Sequence, residues 1–219
     1  MPSTPPRAVL FDFDGVLADT ENVHVAAWER TFALMGLDVP PEVCARAAEE
    51  DDRLFFGGLL AERGVEDADV EGWVGRKQEL TRMLLADAPR LYPGAAELVR
   101  RLAGTASLAV VTGTWRENAV AVLESAGLAD AFPVVVGKED VRRTKPDPEA
   151  YLLATRRLRV PPGESVALED SPSGLASARG AGIRCLAVGH RRPPGAWAEG
   201  ATYLPDLRDA DGVLVALGM

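Results

Sequence analysis

The segment AVLFDFDGV, residues 8–16, begins as an unbroken apolar run and then carries two aspartates separated by one residue. A continuous apolar run of this length is typical of a strand that is buried on both faces. Such strands belong to parallel sheets that helices cover on both sides. The segment therefore predicts a buried first strand, with Asp12 and Asp14 just beyond its carboxyl end.

Later segments of the chain repeat this pattern and alternate with helix-like spacings of apolar residues. Further strands are predicted at Leu108 to Val111, Val134 to Val136, Val166 to Leu168 and Ile183 to Val188. Strands that alternate with helices form a parallel sheet covered on both sides. We therefore expect an α/β fold with a doubly wound parallel sheet, that is, a Rossmann-like core.

Residues 19–90 break the alternation. They show almost no strand pattern but several helical ones, including a helix with Trp28 and Phe32 on one face. We therefore expect a small all-helical cap domain, inserted after the first strand. The predicted core then comprises residues 1–18 and 91–219, and the predicted cap comprises residues 19–90.

Composition limits the possible partners and surroundings. The net charge of -9 would repel nucleic acid over most of the surface, so a nucleic-acid partner is not expected. No apolar run approaches the ~20 residues that span a bilayer, and the first residues lack the apolar stretch of a secretory signal. Cys44 and Cys185 are too few for a disulfide framework. We expect a cytoplasmic monomer without a membrane or nucleic-acid partner.

Polar residues follow several of the predicted strands. In an open parallel sheet, ligands bind beyond the carboxyl ends of the strands, so these residues are expected to converge. The residues in question are Asp12 and Asp14 after the first strand, Thr112, Gly113 and Thr114 after the second, Lys145 ahead of a helix over 146–158, and Glu169 and Asp170 after the fourth. Carboxylates, hydroxyls and one ammonium thus share one rim of the sheet.

This set of side chains suits phosphoryl transfer. A carboxylate can attack phosphorus and form an aspartyl phosphate, and Asp12 is the predicted nucleophile because it emerges first. Asp14, two residues further along an extended chain, faces the same way and can act as general acid and then as general base. Thr112, Lys145 and the neighbouring amides would bind the phosphate oxygens.

Gathered carboxylates repel one another unless a cation lies among them. Magnesium prefers oxygen ligands and keeps several waters, so it fits this donor set best. We expect Asp12 and Asp170 to bind Mg²⁺ through their side chains. Asp14 is expected to contribute its backbone carbonyl, and Glu169 to support the site from behind.

Four segments resemble, in order, the motifs of haloacid dehalogenase-like hydrolases: DFDGV (12–16), VVTGT (110–114), KPDPEAY (145–151) and LEDSPSGLASARGAGI (168–183). The helical insert is similar to the cap of the subgroup that contains β-phosphoglucomutase, phosphoglycolate phosphatase and sugar-phosphate phosphatases. The resemblance implies the roles argued above. The second aspartate, Asp14, also separates this chain from the dehalogenating and phosphonate-cleaving branches, which lack it.

Two residues of the insert resemble substrate contacts of the mutase branch. His24, in HVAAW (24–28), matches a cap histidine that faces the active site, and Lys77, in RKQEL (76–80), matches a cap lysine that reaches substrate phosphate. The alternative is a surface helix whose polar face happens to carry both. Both interpretations stay open at this point.

The function that these residues indicate is a Mg²⁺-dependent phosphatase of a small phosphorylated sugar or organic acid. The first alternative is a β-phosphoglucomutase-like sugar phosphomutase. The mutases carry an arginine in a Gly-x-Ser-Arg segment, where this chain has residues 47–50, AAEE, although Arg53 is near enough to substitute. The second alternative, a catalytically idle binding protein, is disfavoured because the nucleophile and metal carboxylates are all present.

Overall fold

The structure, a computed structural model, describes residues 5–219 apart from 47–51, 66–67 and 88–90. Residues 47–50, where the sequence departs from the mutase motif, therefore lie outside the described residues. Contacts divide the chain into two compact units, Met1–Asp19 with Pro89–Met219 and Thr20–Ala88. Among the helices that the structure describes, none is both long enough and apolar enough to cross a membrane.

The first unit is built on one parallel sheet. Its strands are β1 (Ala8–Phe11), β2 (Ser107–Val111), β3 (Val134–Val136), β4 (Ser165–Glu169), β5 (Arg184–Val188) and β6 (Thr202–Leu204). They lie in the order β3-β2-β1-β4-β5-β6, and all neighbouring pairs are parallel. The predicted doubly wound, Rossmann-like sheet is confirmed. Only the short edge strand β6 was not predicted.

Helices cover this sheet, and the central strand is the most completely buried. The helices of the unit are α5 (Ala95–Leu102), α6 (Arg116–Ser125), α7 (Glu149–Leu158), α8 (Pro172–Gly180) and α9 (Ala210–Leu217). Successive side chains of β1 point to opposite faces, and all four are fully buried, as the apolar run predicts. Helix α7 begins three residues later than predicted, because the side chain of Asp147 accepts the amide of Glu149 in a turn ahead of it.

The second unit is helical and has an apolar core of its own. The elements in its described residues are α1 (Glu21–Leu34), α2 (Pro41–Arg46), α3 (Asp52–Glu62) and α4 (Val70–Asp87). Trp28 stacks on Phe32 and Phe56 with ring centroids 5.2 and 5.4 Å apart. All three rings are almost completely buried. The predicted all-helical insert after the first strand is confirmed.

Candidate active site

The central pair of strands, β1 and β4, brings the main carboxylates together. Phe11 lies opposite Leu168 in register, so the residues that follow these strands emerge side by side. Carboxylate oxygens of Asp12, Glu169 and Asp170 all lie within 4.8 Å of one another, and all three residues are buried. The pairing of β1 with β4 thus brings Asp12 to two consecutive residues, Glu169 and Asp170, that lie more than 150 positions later in the sequence.

Lys145 lies between two of these carboxylates. Its Nζ donates to Asp12 Oδ1 at 2.7 Å, to Glu169 Oε1 at 2.6 Å and to the carbonyl of Val111 at 2.9 Å. These contacts use all three donors of an ammonium group. Burial alone would lower the pKa of Lys145, but Asp12 and Glu169 together raise it well above its usual value. The site therefore contains a permanent, fixed positive charge.

Glu169 is held on every side. Its Oε1 also accepts the hydroxyl of Tyr151 at 2.6 Å, and its Oε2 accepts the hydroxyl of Ser171 at 3.4 Å. A Cβ at Gly174 would lie 1.9 Å from Oε2, so the carboxylate packs directly against the first turn of α8. With its oxygens committed in this way, Glu169 is suited to orient Lys145 and not to bind a ligand directly.

Tyr151 is a site residue that the sequence analysis missed. It lies within the segment KPDPEAY, and helix α7 places its ring in the core and its hydroxyl on Glu169. The signal was its position in that segment, six residues after Lys145. A tyrosine on a helix is ordinarily read as a core residue, which is why the motif alone gave it no role.

The carboxylate of Asp170 packs against the backbone of the loop after β1. Gly15 has a φ of +87°, and a Cβ there would lie 1.9 Å from Asp170 Oδ2, so only glycine fits. Arg191 Nη2 is 3.5 Å from the same oxygen. Arg191 was not among the predicted site residues, because a basic stretch such as HRR (190–192) is typical of a solvated loop even where it follows a strand.

The carboxylate cluster carries more negative charge than Lys145 balances. Burial, and then the charges of Asp12 and Glu169, raise the pKa of Asp170 to about 8. Burial and Asp12 raise the pKa of Glu169 to about 7, against the opposing effect of Lys145. A buried excess of hard oxygen donors fits a cation such as Mg²⁺. Asp12 and Asp170 are the side chains best placed to hold it, since the oxygens of Glu169 are already engaged.

Asp14 faces the loop that follows β2. The hydroxyl of Thr112 donates to Asp14 Oδ2 at 3.3 Å, and the amide of Thr114 donates to Thr112 Oγ1 at 3.0 Å. Asn118 donates to the hydroxyl of Thr114 at 3.3 Å. Gly113 is exposed, and a Cβ there would meet no atom of the described residues within 4 Å. Packing against the described part of the chain therefore does not require this glycine.

His24 and Lys77 come together within the helical unit. Lys77 Nζ is 3.2 Å from His24 Nδ1 and 2.9 Å from Asp52 Oδ1, and Lys77 is only 1% exposed. Gln78 also donates to Asp52. Lys77 is therefore part of a buried ion pair. It does not lie on the solvated polar face of a surface helix, which was the alternative interpretation.

Comparison with known proteins gives a consistent result. A family model described as haloacid dehalogenase-like hydrolase matches residues 6–182. Protein CbbY of Rhodobacter capsulatus is 35% identical over 190 residues, with 82% of this chain and 84% of that protein covered. Validoxylamine A 7'-phosphate phosphatase of Streptomyces hygroscopicus subsp. limoneus is 31% identical over 213 residues, covering 93% and 95% of the two chains.

Among solved structures, CbbY from Rhodobacter sphaeroides in complex with phosphate is similar over 93% of this chain and 96% of that one. The TM-score is 0.81 and the sequence identity is 30%. The likeness therefore extends over both compact units and over nearly the whole length of each relative.

Proposed function

Because the chain belongs to the haloacid dehalogenase-like hydrolases, in the subgroup of β-phosphoglucomutase and phosphoglycolate phosphatase, we propose that it is a Mg²⁺-dependent phosphatase of a small phosphorylated metabolite. The observation that carries the proposal is the buried cluster of Asp12, Glu169 and Asp170 around the ammonium of Lys145. Such a cluster offers a nucleophile, a cation site and a fixed positive charge within a few ångströms.

In the first step, a carboxylate oxygen of Asp12 attacks the phosphorus of the substrate. The bond from phosphorus to the ester oxygen breaks, and Asp14 donates a proton to that oxygen, which leaves as an alcohol. Lys145 and the amides of the loop that contains Thr112 and Thr114 stabilise the charge on the phosphoryl oxygens. The products are the alcohol and an aspartyl phosphate on Asp12.

In the second step, the ionised Asp14 takes a proton from a water molecule, and the oxygen of that water attacks phosphorus. The bond from phosphorus to Asp12 breaks, which releases inorganic phosphate and restores both carboxyl groups. The hydrogen bond from Thr112 orients the carboxyl group of Asp14, which is the proton donor in the first step and the proton acceptor in the second. Mg²⁺, held by Asp12 and Asp170, would supply charge neutralisation between the carboxylate and the phosphate.

The substrate class follows from the relatives and from the helical unit. One relative is named as a phosphatase of validoxylamine A 7'-phosphate, and another as a phosphatase of phosphorylated carbohydrates. We propose a phosphorylated sugar or small organic acid as substrate, and the helical unit over 19–90 as the cap that selects it. The net charge of -9 fits a small metabolite better than a nucleic acid, in keeping with a cytoplasmic enzyme.

A phosphomutase is the second candidate, and it rests on the pairing of His24 with Lys77 in the helical unit. One observation counts against it. Arg53, the residue that could replace the missing mutase arginine, donates to both carboxylate oxygens of Glu71 at 2.6 and 3.0 Å. Its guanidinium is thus already engaged by a carboxylate, which weakens it as a holder of a second phosphate.

Product analysis separates the two candidates. With Mg²⁺ and glucose 1-phosphate, and with a panel of other sugar and organic-acid phosphates, we expect release of inorganic phosphate from at least one substrate. Phosphate is measured colorimetrically and glucose 6-phosphate by a coupled dehydrogenase. Rapid formation of glucose 6-phosphate without phosphate release would contradict the phosphatase proposal and favour the mutase.

Magnesium binding has its own test in thermal unfolding. A ligand that binds only the folded state at 100 times its Kd stabilises it by about 2.7 kcal/mol. For a chain of this size, that corresponds to a rise in Tm of roughly 5–10 °C. We expect Mg²⁺ to produce such a rise in the wild type and none in Asp170→Asn. Asp211→Asn, an exposed carboxylate on α9, is the matched control and should respond like the wild type. An equal rise in Asp170→Asn would exclude this metal site.

A further inference from the structure

The loop after β5 (residues 189–192) makes a tight turn that places the His190 ring against the ring of Tyr92. The amide of Gly189 donates to the carbonyl of Leu204 at 2.8 Å, and the amide of Arg192 donates back to Gly189 at 3.1 Å. Within this turn, the imidazole of His190 stacks on the ring of Tyr92, with centroids 4.0 Å apart and planes inclined by only 6°.

Tyr92 belongs to the segment that re-enters the first unit, and this segment pairs with the loop that follows β1. The amide of Tyr92 donates to the carbonyl of Leu17 at 2.9 Å, and Leu91 forms an antiparallel bridge with Ala18. The loop itself is a tight turn, since the amide of Leu17 donates to Phe13 at 2.9 Å. Asp14 is therefore part of a turn over residues 13–18, here called the Asp14 loop, whose last residues are hydrogen-bonded to the segment that contains Tyr92.

His190 also contacts this loop directly. The imidazole hydrogen-bonds to the backbone carbonyl of Val16, two residues after Asp14. Nε2 has no hydrogen-bond partner among the described residues, so Nδ1 is the donor. Burial lowers the pKa of His190 below its usual value, which favours the neutral imidazole.

Packing alone does not explain this pair of rings. Both rings line a cavity of about 480 Å³ beside Asp19 and Arg208. The hydroxyl of Tyr92 is buried and has no hydrogen-bond partner in the described part of the chain. A pair chosen for core stability would bury its faces and satisfy its polar atoms. What the pair does accomplish is to connect the β5 loop with the Asp14 loop.

We infer that His190 is a positioning residue, which holds the Asp14 loop in place through its stack on Tyr92 and its hydrogen bond to Val16. The inference rests on the proposed function, in which Asp14 protonates the leaving oxygen. Proton transfer requires the donor within hydrogen-bond reach of that oxygen. A displacement of about 1 Å can cost on the order of 10²-fold. Loss of His190 should therefore act on the acid step and leave nucleophilic attack by Asp12 intact.

Two substrates of similar shape separate these steps. Nitrophenolate leaves without protonation, whereas phenolate is a poorer leaving group that benefits from an acid. In His190→Ala, kcat/KM for phenyl phosphate should fall roughly 10- to 100-fold, while kcat/KM for p-nitrophenyl phosphate stays within about threefold of wild type. His190→Phe keeps the stack but loses the donor, and should show a smaller selective loss. These measurements use kcat/KM because it reports the first, bond-breaking step.

Controls distinguish a positioning role from general destabilisation. Val213→Ala removes buried apolar volume from α9, a helix outside the loops that follow β1 and β5, and its ratio of the two kcat/KM values should equal that of wild type. The same selective loss in Val213→Ala, or an equal loss on both substrates in His190→Ala and His190→Phe, would overturn the inference. So would an unchanged ratio in both His190 variants.

Asp14→Asn tests the acid role of Asp14 independently of the positioning role of His190. This variant should lose roughly 10²–10⁴-fold on phenyl phosphate and far less on p-nitrophenyl phosphate. If Asp14→Asn shows no such selectivity, the acid role in the proposed function is wrong. If Asp14→Asn is selective but the His190 variants are not, the acid role stands and only the inference about His190 fails.

Discussion

Replacement of Asp12 by asparagine is expected to abolish phosphate release, with a fall in kcat on the order of 10⁶-fold, as loss of a nucleophile causes in other covalent enzymes. Asparagine keeps the shape of the side chain and one oxygen but cannot attack phosphorus as an anion. The measurement is the rate of phosphate release with Mg²⁺ and the best substrate of the panel. The variant should still fold, because β1 is unchanged and its four residues stay buried.

The matched control is again an aspartate-to-asparagine change outside the site. Asp211→Asn removes a carboxylate whose side chain is 85% exposed, and its turnover should equal that of wild type. Near-normal turnover in Asp12→Asn would mean that the covalent mechanism is wrong. A loss no greater than that of Asp14→Asn would place Asp12 in a supporting role only.

Replacement of Lys145 by methionine is expected to have the largest effect on stability. The side chains of Asp12 and Glu169 are 10% and 0% exposed, and both accept a hydrogen bond from this one ammonium group, whose charge balances theirs. Removing one partner of a buried ion pair typically costs about 3–5 kcal/mol, because it leaves buried charge uncompensated. Denaturant unfolding without metal measures the change. Turnover should also fall by roughly 10²–10³-fold, since a group that stabilises the transferred phosphoryl is lost.

A second change tests the cause of this loss. In Lys145→Met with Glu169→Gln, the buried residue next to the methionine no longer carries a charge. The double variant should therefore be more stable than Lys145→Met alone. Glu169→Gln alone completes the double-mutant cycle, which measures the coupling between the two residues. Additive effects of the two single changes would contradict the electrostatic explanation. Turnover should not recover, because the lysine is still absent.

Much of the fold could be predicted because its strands are buried on both faces. The runs at 8–11 and 134–136 have no polar residue to obscure them, and the structure gives strands with those bounds. Strand β6 was missed because Thr202, Tyr203 and Leu204 form a short edge strand that is buried only at its last residue. Its pairing with β5 depends on tertiary position, which local pattern does not encode.

Lys145 could be predicted from the segment KPDPEAY, and the carboxylates of the site because they lie at or just beyond the ends of strands. Parallel pairing of β1 with β4 then brings Asp12, Glu169 and Asp170 together. Tyr151 lies on a helix, and only the angle at which α7 packs directs its hydroxyl to Glu169. His190 was not predicted, because the turn that folds it back onto Tyr92 cannot be recognised in the basic stretch HRR (190–192).

The central claim is that Asp12 carries the phosphoryl group during turnover, and trapping that group tests it most directly. Asp14→Asn is incubated with Mg²⁺ and p-nitrophenyl phosphate, whose leaving group needs no acid, and is then quenched in acid. Because water attack needs Asp14 as base, the phosphoenzyme should accumulate. Peptide mass spectrometry is expected to locate the phosphoryl group on Asp12 in the segment AVLFDFDGV. A burst of nitrophenol with no phosphate on Asp12, or with phosphate on another residue, would contradict the account.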